Sequence, residues 1–122
     1  MVDISLFDEI AKVNGYMGAV LSDYTGEVLV SDTGKIKKLD ETSMHFNETF
    51  RTLHELTDSL GLGHMHTMDV KADNATVIMA CSGMDARVHL HAFVIMSKNG
   101  SHALAKIALD NIITKSMKEL SA

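Results

Sequence analysis

Apolar residues follow two different spacings along the chain, one typical of helices and one typical of strands. Near the start, Leu6, Ile10 and Val13 recur three and four positions apart, which predicts a first helix at 5–13. Ser5 is placed to cap this helix and Gly15 to end it.

Two strands are predicted next, at 16–22 and 27–31, joined by the turn-prone sequence DYTG. The second strand alternates, so Val28 and Val30 are expected on one face and Leu29 on the other. A β-hairpin follows from this pattern.

A long amphipathic helix is predicted in the middle of the chain, after a polar loop at 33–40. Its apolar stripe consists of Phe46, Phe50, Leu53, Leu56 and Leu60. Charged residues fall mostly outside this stripe. A helix laid on a sheet can bury one edge of such a stripe and share another with a partner, so Phe46, Phe50, Leu53 and Leu60 fit either a core or an interface. The glycines of the LGLG sequence at 60–63 are typical of a helix end.

Three further strands are predicted at His64–Lys71, Ala75–Ser82 and Arg87–Ser97. The connections are short and turn-prone, which indicates an antiparallel meander. The third strand is apolar on both faces, so it should be central and covered on both sides. Its two faces carry Val88, Leu90, Ala92, Val94 and Met96 on one side and Phe93 and Ile95 on the other.

A final helix is predicted from about residue 102 to the end of the chain, after the NGS sequence at 99–101. The element order is thus α-β-β-α-β-β-β-α. This order predicts an α+β fold, with one five-stranded, mainly antiparallel sheet and helices on both faces, in a single domain spanning 1–122.

Composition excludes several classes of protein. The net charge of −5 argues against nucleic acid as a partner, and no apolar run is long enough for a membrane insertion. The first residues lack the basic region of a targeting signal, so a cytoplasmic location is expected. Cys81 is the only cysteine and is predicted to be a buried strand thiol.

Partial matches to enzyme motifs are not expected to be functional in this chain. The TGK sequence at 33–35 lacks the rest of a phosphate loop, because Ile36 replaces the serine or threonine and Leu29 replaces the first glycine. No nucleophile-elbow sequence is present. We therefore expect a protein that is not an enzyme.

Four segments carry a family resemblance: GYMGAVLSDYTGEVLVSD at 15–32, LTDSLGLG at 56–63, VIMACSG at 77–83 and AFVIMSKNG at 92–100. The most specific positions are Gly15, Gly18, Ala19, Val20, Asp23, Gly26, Val28 and Ser31. Together they resemble the roadblock family, which includes the roadblock-type dynein light chains and the prokaryotic gliding-motility regulators.

The resemblance implies a profilin-like sandwich that forms a homodimer, has no catalytic residues and needs no cofactor. It implies an adaptor or regulator that binds a Ras-like small GTPase or scaffolds a signalling or motility complex. The middle helix at 43–60 and the strand at 64–71 would form the contact. The expected interface residues are Met44, Phe46, Glu48, Arg51, His54, Glu55, Asp58, Met65, His66 and Met68.

Two His-x-His pairs, in HMHTMDV at 64–70 and HLHAFVIM at 89–96, leave a second class of function open. Alternate strand residues share a face and lie about 6.6–6.8 Å apart, a spacing that allows both imidazoles to bind one metal ion. His64, His66 and Met68 would suit copper(I). The other pair, His89 and His91, would have the cation Arg87 on its face, which disfavours a metal ion. The alternative is a sensor of a small ligand or of copper, zinc or nickel, although a metal site is not favoured.

Overall fold

The computed structural model describes residues 2–83 and 88–121. A 3-10 turn at Ile4–Phe7 leads into α1 (Asp8–Ala11), followed by the hairpin β1 (Tyr16–Asp23) and β2 (Val28–Asp32). The remaining elements are α2 (Leu39–Ser59), β3 (Thr67–Lys71), β4 (Ala75–Cys81), β5 (Leu90–Ser97) and α3 (His102–Ser121). The predicted order of elements is confirmed.

The N-terminal helix is shorter than predicted. Its first turn is a 3-10 turn, and the side chain of Asp3, not of Ser5, caps it by accepting a hydrogen bond from the backbone N–H of Ser5 at 2.9 Å. The prediction of Ser5 as the cap is therefore wrong. Phe7 and Ile10 are buried, so the element still anchors its end of the chain on the sheet.

The five strands form one sheet in the order β2-β1-β5-β4-β3, and each neighbouring pair is antiparallel. β5 is central, as its two apolar faces predict. Leu90 packs with the core under α3, and Phe93 packs with the core under α2, which confirms the predicted alternation.

The hairpin of β1 and β2 departs from simple alternation. Leu21 pairs with Val30, but the next residue, Ser22, pairs with Val28, so Leu29 is an extra residue in β2. Val30 packs against one core and Val28 against the other. The prediction that the two valines share a face is therefore wrong, because the bulge reverses the alternation between them.

Helices cover both faces of the sheet. One core lies between the sheet and the pair α1 and α3, and the other lies between the sheet and α2. The α2 side includes Leu39 and Phe50 from the helix and Met79, Cys81 and Phe93 from the sheet. Within the described residues, none of the helices combines the length and apolar character needed to cross a membrane.

Only one edge of the apolar stripe of α2 is buried against the sheet. Its buried residues follow one another at spacings of three or four positions: Leu39, Ser43, Asn47, Phe50 and His54. The predicted stripe is only partly buried, since Leu53, Leu56 and Leu60 are 36%, 50% and 71% exposed. Polar side chains occupy three of the five buried positions, and at one of them the Ser43 hydroxyl donates to the Asp40 carbonyl at 2.8 Å.

Candidate functional site

A cavity of about 310 Å³ lies beside α2, next to the turn between β1 and β2 and the start of β5. We call it the histidine cavity, and its lining residues are Tyr24, Arg51, His54, Glu55, Asp58, His89 and His91. Three elements distant in sequence meet here. The sequence places titratable and aromatic side chains on all three.

A buried hydrogen-bond chain forms the floor of the cavity. The Nδ1–H of His91 donates to Oδ1 of Asn47 at 2.6 Å, since an amide oxygen only accepts. The Nδ2 of Asn47 donates in turn to the carbonyl of Tyr24 at 3.0 Å. Phe50 meets the His91 ring edge to face, with ring centroids 4.8 Å apart. This chain fixes α2 to the sheet and to the β1–β2 turn.

His89 lies against the thiol of Cys81. Its Nε2 is 3.0 Å from the Cys81 Sγ, and Tyr24 stacks on its ring at a centroid distance of 5.2 Å and an angle of 8°. The guanidinium carbon of Arg51 lies 5.4 Å from the centroid of the same tyrosine ring. The stacked ring holds the His89 imidazole in place beside the sulfur.

His54 is buried and has no hydrogen-bond partner on either ring nitrogen. Its ring stacks on His64 at a centroid distance of 5.7 Å and lies 6.2 Å from the ring of His89. Buried imidazole nitrogens without partners are uncommon in folded proteins, since each costs free energy of desolvation. His54 is therefore the least satisfied polar side chain of the site.

His64 lies next to His54 and Asp58 of the cavity lining and not on a strand. β3 begins at Thr67, so the prediction that the strand starts at His64 is wrong. The His64 Nδ1 is 2.9 Å from Oδ1 of Asp58, which links it to α2. Of the first His-x-His pair, only His64 is therefore held next to the cavity.

Burial keeps the inner histidines neutral. Desolvation, together with the nearby His89, His54 and Arg51, lowers the pKa of His91 to about 3, with Asp23 opposing the shift. Desolvation, followed by the charges of His54 and His64, also lowers the pKa of His89. Burial raises the pKa of the Cys81 thiol. At neutral pH, His89 and His91 are therefore neutral imidazoles and Cys81 is a protonated thiol.

Two groups of possible metal ligands occur among the described residues, and they share His54. One is His54, Cys81 and His89, and the other is His54, Asp58 and His64; within each, the ligand atoms lie within 4.8 Å of one another. The expected ligands His64 and His89 are thus present, one in each group, and His91 lines the same cavity.

The remaining predicted ligands lie elsewhere. His66 is exposed and belongs to neither group, and Met68 is buried in the core on the α2 side. Arg87, expected beside the second pair, falls outside the described residues. Cys81 is a buried strand residue as predicted, but its contact with His89 was missed, because eight positions separate the two in sequence. The sequence did contain one indication of this contact, a histidine on the strand predicted to pair with that of the only cysteine.

The ten residues expected at an interface fall into three environments. Met44, Glu48, Glu55 and His66 are exposed, and Phe46, Arg51 and Met65 are partly buried. His54 and Met68 are each only 8% exposed, and Asp58 is engaged by His64. Arg51, His54, Glu55 and Asp58 line the histidine cavity.

Comparisons with solved structures identify the fold. A Roadblock/LC7 domain from Streptomyces avermitilis has a TM-score of 0.84 and 13% identity, over 99% of this chain and 100% of that chain. An MglB with a tetrameric arrangement has a TM-score of 0.80 and 14% identity, over 94% and 85%. The gliding protein MglB from Thermus thermophilus has a TM-score of 0.76 and 15% identity, over 90% and 82%.

No family model matches the sequence, and a comparison with curated proteins found no match. At these identities the structural likeness concerns the fold. The antiparallel five-stranded sheet with helices on both faces confirms the predicted profilin-like sandwich. The chain has the roadblock fold, and its structural neighbours are Roadblock/LC7 domains and MglB gliding proteins.

Proposed function

We propose that this chain is a non-catalytic, homodimeric adaptor that binds a Ras-like small GTPase or scaffolds a complex containing one. The observation that carries the proposal is an exposed row of leucines on α2, formed by Leu53, Leu56 and Leu60. We call it the leucine row. Its members are three and four residues apart, so they lie on one flank of the helix.

The leucine row favours a protein partner because its apolar side chains are exposed to water. Leu56 and Leu60 are at least half exposed, at 50% and 71%, and Leu62 just beyond the helix is 73% exposed. Contiguous exposed apolar side chains on a helix are typical of an interaction surface. Burial against a second copy would remove these side chains from water, at about 25 cal/mol per Å² of apolar area.

The edge strand β3 is a second observation in favour of a dimer contact that includes α2. It pairs with β4 on one side only and is the last strand of the sheet. Four of its five residues are exposed, including Val70 at 38%. An edge strand with free backbone groups is a site where proteins pair with another chain. We infer that α2 and β3 form the dimer contact together.

A Ras-like GTPase is proposed as the partner because the sequence resembles the roadblock family and the fold is that of gliding protein MglB. The dimer would present two copies of the histidine-cavity flank of α2, where Arg51, Glu55 and Asp58 provide charged side chains. The proposed location is the cytoplasm, where the Cys81 thiol stays reduced.

Leu56→Glu tests the dimer. Glutamate is a good helix former, so α2 is retained, but a carboxylate buried in the contact lacks a partner. We expect the wild type to sediment as a dimer and Leu56→Glu to be a monomer, with at least about tenfold weaker association. Sedimentation velocity at several protein concentrations measures this.

Leu104→Glu is the matched control. Leu104 is 56% exposed, close to the 50% of Leu56, but it lies on α3 across the sheet. We expect this variant to remain dimeric. Equal effects of the two substitutions, or a wild type that is monomeric at high micromolar concentration, would overturn the proposed contact.

The partner is tested with the wild type and the Leu56→Glu variant as baits. Each bait is incubated with purified Ras-like GTPases of the source organism, loaded with GDP or with a non-hydrolysable GTP analogue. We expect a GTPase to bind the wild type more tightly than the variant, with no hydrolysis of GTP by the chain alone. Absence of binding in both nucleotide states would contradict the GTPase proposal and leave the dimer result standing.

A further inference from the structure

Three potential metal ligands converge from three separate elements. Cys81 is the last residue of β4, His89 immediately precedes β5, and His54 lies on the inner side of α2. One ligand atom from each lies within 4.8 Å of the other two, and Cys81 Sγ and His89 Nε2 are 3.0 Å apart. In a tetrahedral zinc site, bond lengths of about 2.0–2.3 Å place neighbouring ligand atoms roughly 3.3–3.8 Å apart. Small side-chain rotations would bring the three atoms to that spacing.

The second observation is the unsatisfied state of His54. The residue is only 8% exposed, and neither ring nitrogen has a hydrogen-bond partner. The rings of His64 and His89 and a carboxylate oxygen of Asp58 lie near it, but no carbonyl or carboxylate, the usual partner of a buried histidine, is hydrogen-bonded to either nitrogen. A nitrogen lone pair that is buried and unused has the chemistry of a metal ligand.

We propose that Cys81, His89 and His54 bind one Zn²⁺ ion. One thiolate and two neutral imidazoles are ligands of borderline softness, which suit zinc far better than calcium or magnesium. Tyr24, stacked on His89, holds one ligand ring, and Phe50, with its centroid 6.2 Å from that of His54, packs against another. The fourth position of a tetrahedral ion would open into the histidine cavity, because His54 and His89 both line it.

Binding is an exchange of a proton for a metal ion. The S–H bond of Cys81 breaks, its proton passes to solvent, and the sulfur lone pair forms the bond to zinc, while the two imidazoles bind through lone pairs they already hold. No oxidant or reductant takes part. The bound ion would connect α2 directly to the ends of β4 and β5.

This site is independent of the proposed dimer contact. The leucine row and the metal ligand His54 lie on different flanks of α2, since Leu53, Leu56 and Leu60 are exposed and His54 is buried. The metal site can therefore be tested on wild type or on the Leu56→Glu variant, and its failure does not bear on dimerisation.

Cobalt(II) is the direct probe of the ligand set. Untagged, reduced full-length protein, stripped of metal with a chelator, is titrated with Co²⁺ and then with Zn²⁺. We expect one equivalent of Co²⁺ to produce tetrahedral d–d bands and a thiolate-to-cobalt charge-transfer band, and Zn²⁺ to abolish both. Cys81 is the only cysteine of the chain, so the charge-transfer band identifies it without mutation. A titration without this band, or without saturation at one equivalent, overturns the proposal.

Variants give the matched comparison. His89→Gln alters a partly exposed ligand and Cys81→Ala a buried one, and both are expected to weaken Zn²⁺ binding at least tenfold, as measured by competition with a chromophoric chelator. His66→Gln changes an exposed histidine outside the cluster and should bind as the wild type does. Circular dichroism checks folding, and His89→Gln decides the test if Cys81→Ala unfolds. Unchanged affinity in His89→Gln, or an equal loss in His66→Gln, would overturn the site.

Discussion

At the scale of single residues, buried polar groups decide how α2 is oriented. Asn47 is only 2% exposed and joins His91 to the carbonyl of Tyr24 through two hydrogen bonds. Apolar side chains on the same helix remain in water while this amide is inside. Because an unmatched buried donor or acceptor costs about 1–3 kcal/mol, these two bonds specify the position of the helix strongly.

Asn47→Ala tests this role. The substitution leaves the Nδ1–H of His91 and the carbonyl of Tyr24 without their partner, so we expect the free energy of unfolding to fall by about 2–3 kcal/mol. Asn111→Ala is the control. The side-chain amide of Asn111 donates one hydrogen bond, to Glu9 Oε1 at 3.0 Å, at an exposed position on α3. We expect a loss below about 0.5 kcal/mol there. Urea denaturation measures both, and similar losses would contradict the argument.

At the scale of elements, α2 has three functional sides. Its inner side packs on the sheet through Leu39 and Phe50, one flank carries the leucine row, and the other lines the histidine cavity. The helix begins without a side-chain cap, because Lys38 precedes it and a lysine ammonium cannot accept a hydrogen bond. Lys38 also has a φ of 57°, in the left-handed region. A lysine pays a steric penalty in that conformation that glycine avoids.

Lys38→Gly is expected to stabilise the protein. Removing the Cβ relieves the strain at positive φ, and the free energy of unfolding should rise by about 0.5–1 kcal/mol after the entropic cost of glycine. Lys37→Gly is the control, since Lys38 is the only non-glycine residue with a positive φ in the described part of the chain. Lys37→Gly relieves no strain, so its melting temperature should be slightly lower than that of the wild type. Stabilisation by both, or by neither, would show that the conformation of Lys38 carries no strain.

At the scale of the whole molecule, local patterns predicted the architecture and missed what depends on contacts between distant segments. Short turns and a strand apolar on both faces were enough to place β5 at the centre. The leucines of α2 were left open between core and interface, because an apolar stripe looks the same whether it faces a sheet or a partner. Cys81, His89 and His54 form one cluster only after β4, β5 and α2 have packed together, so spacing along the chain could indicate the pair Cys81 and His89 but not the addition of His54.

The central claim, a homodimeric adaptor with the roadblock fold, is tested most directly by the mass of the untagged chain in solution. Sedimentation equilibrium of the wild type at micromolar concentrations should give twice the chain mass of 13.3 kDa. The Leu56→Glu variant should give the chain mass itself. A wild type that stays at the monomer mass up to high micromolar concentration would contradict the account.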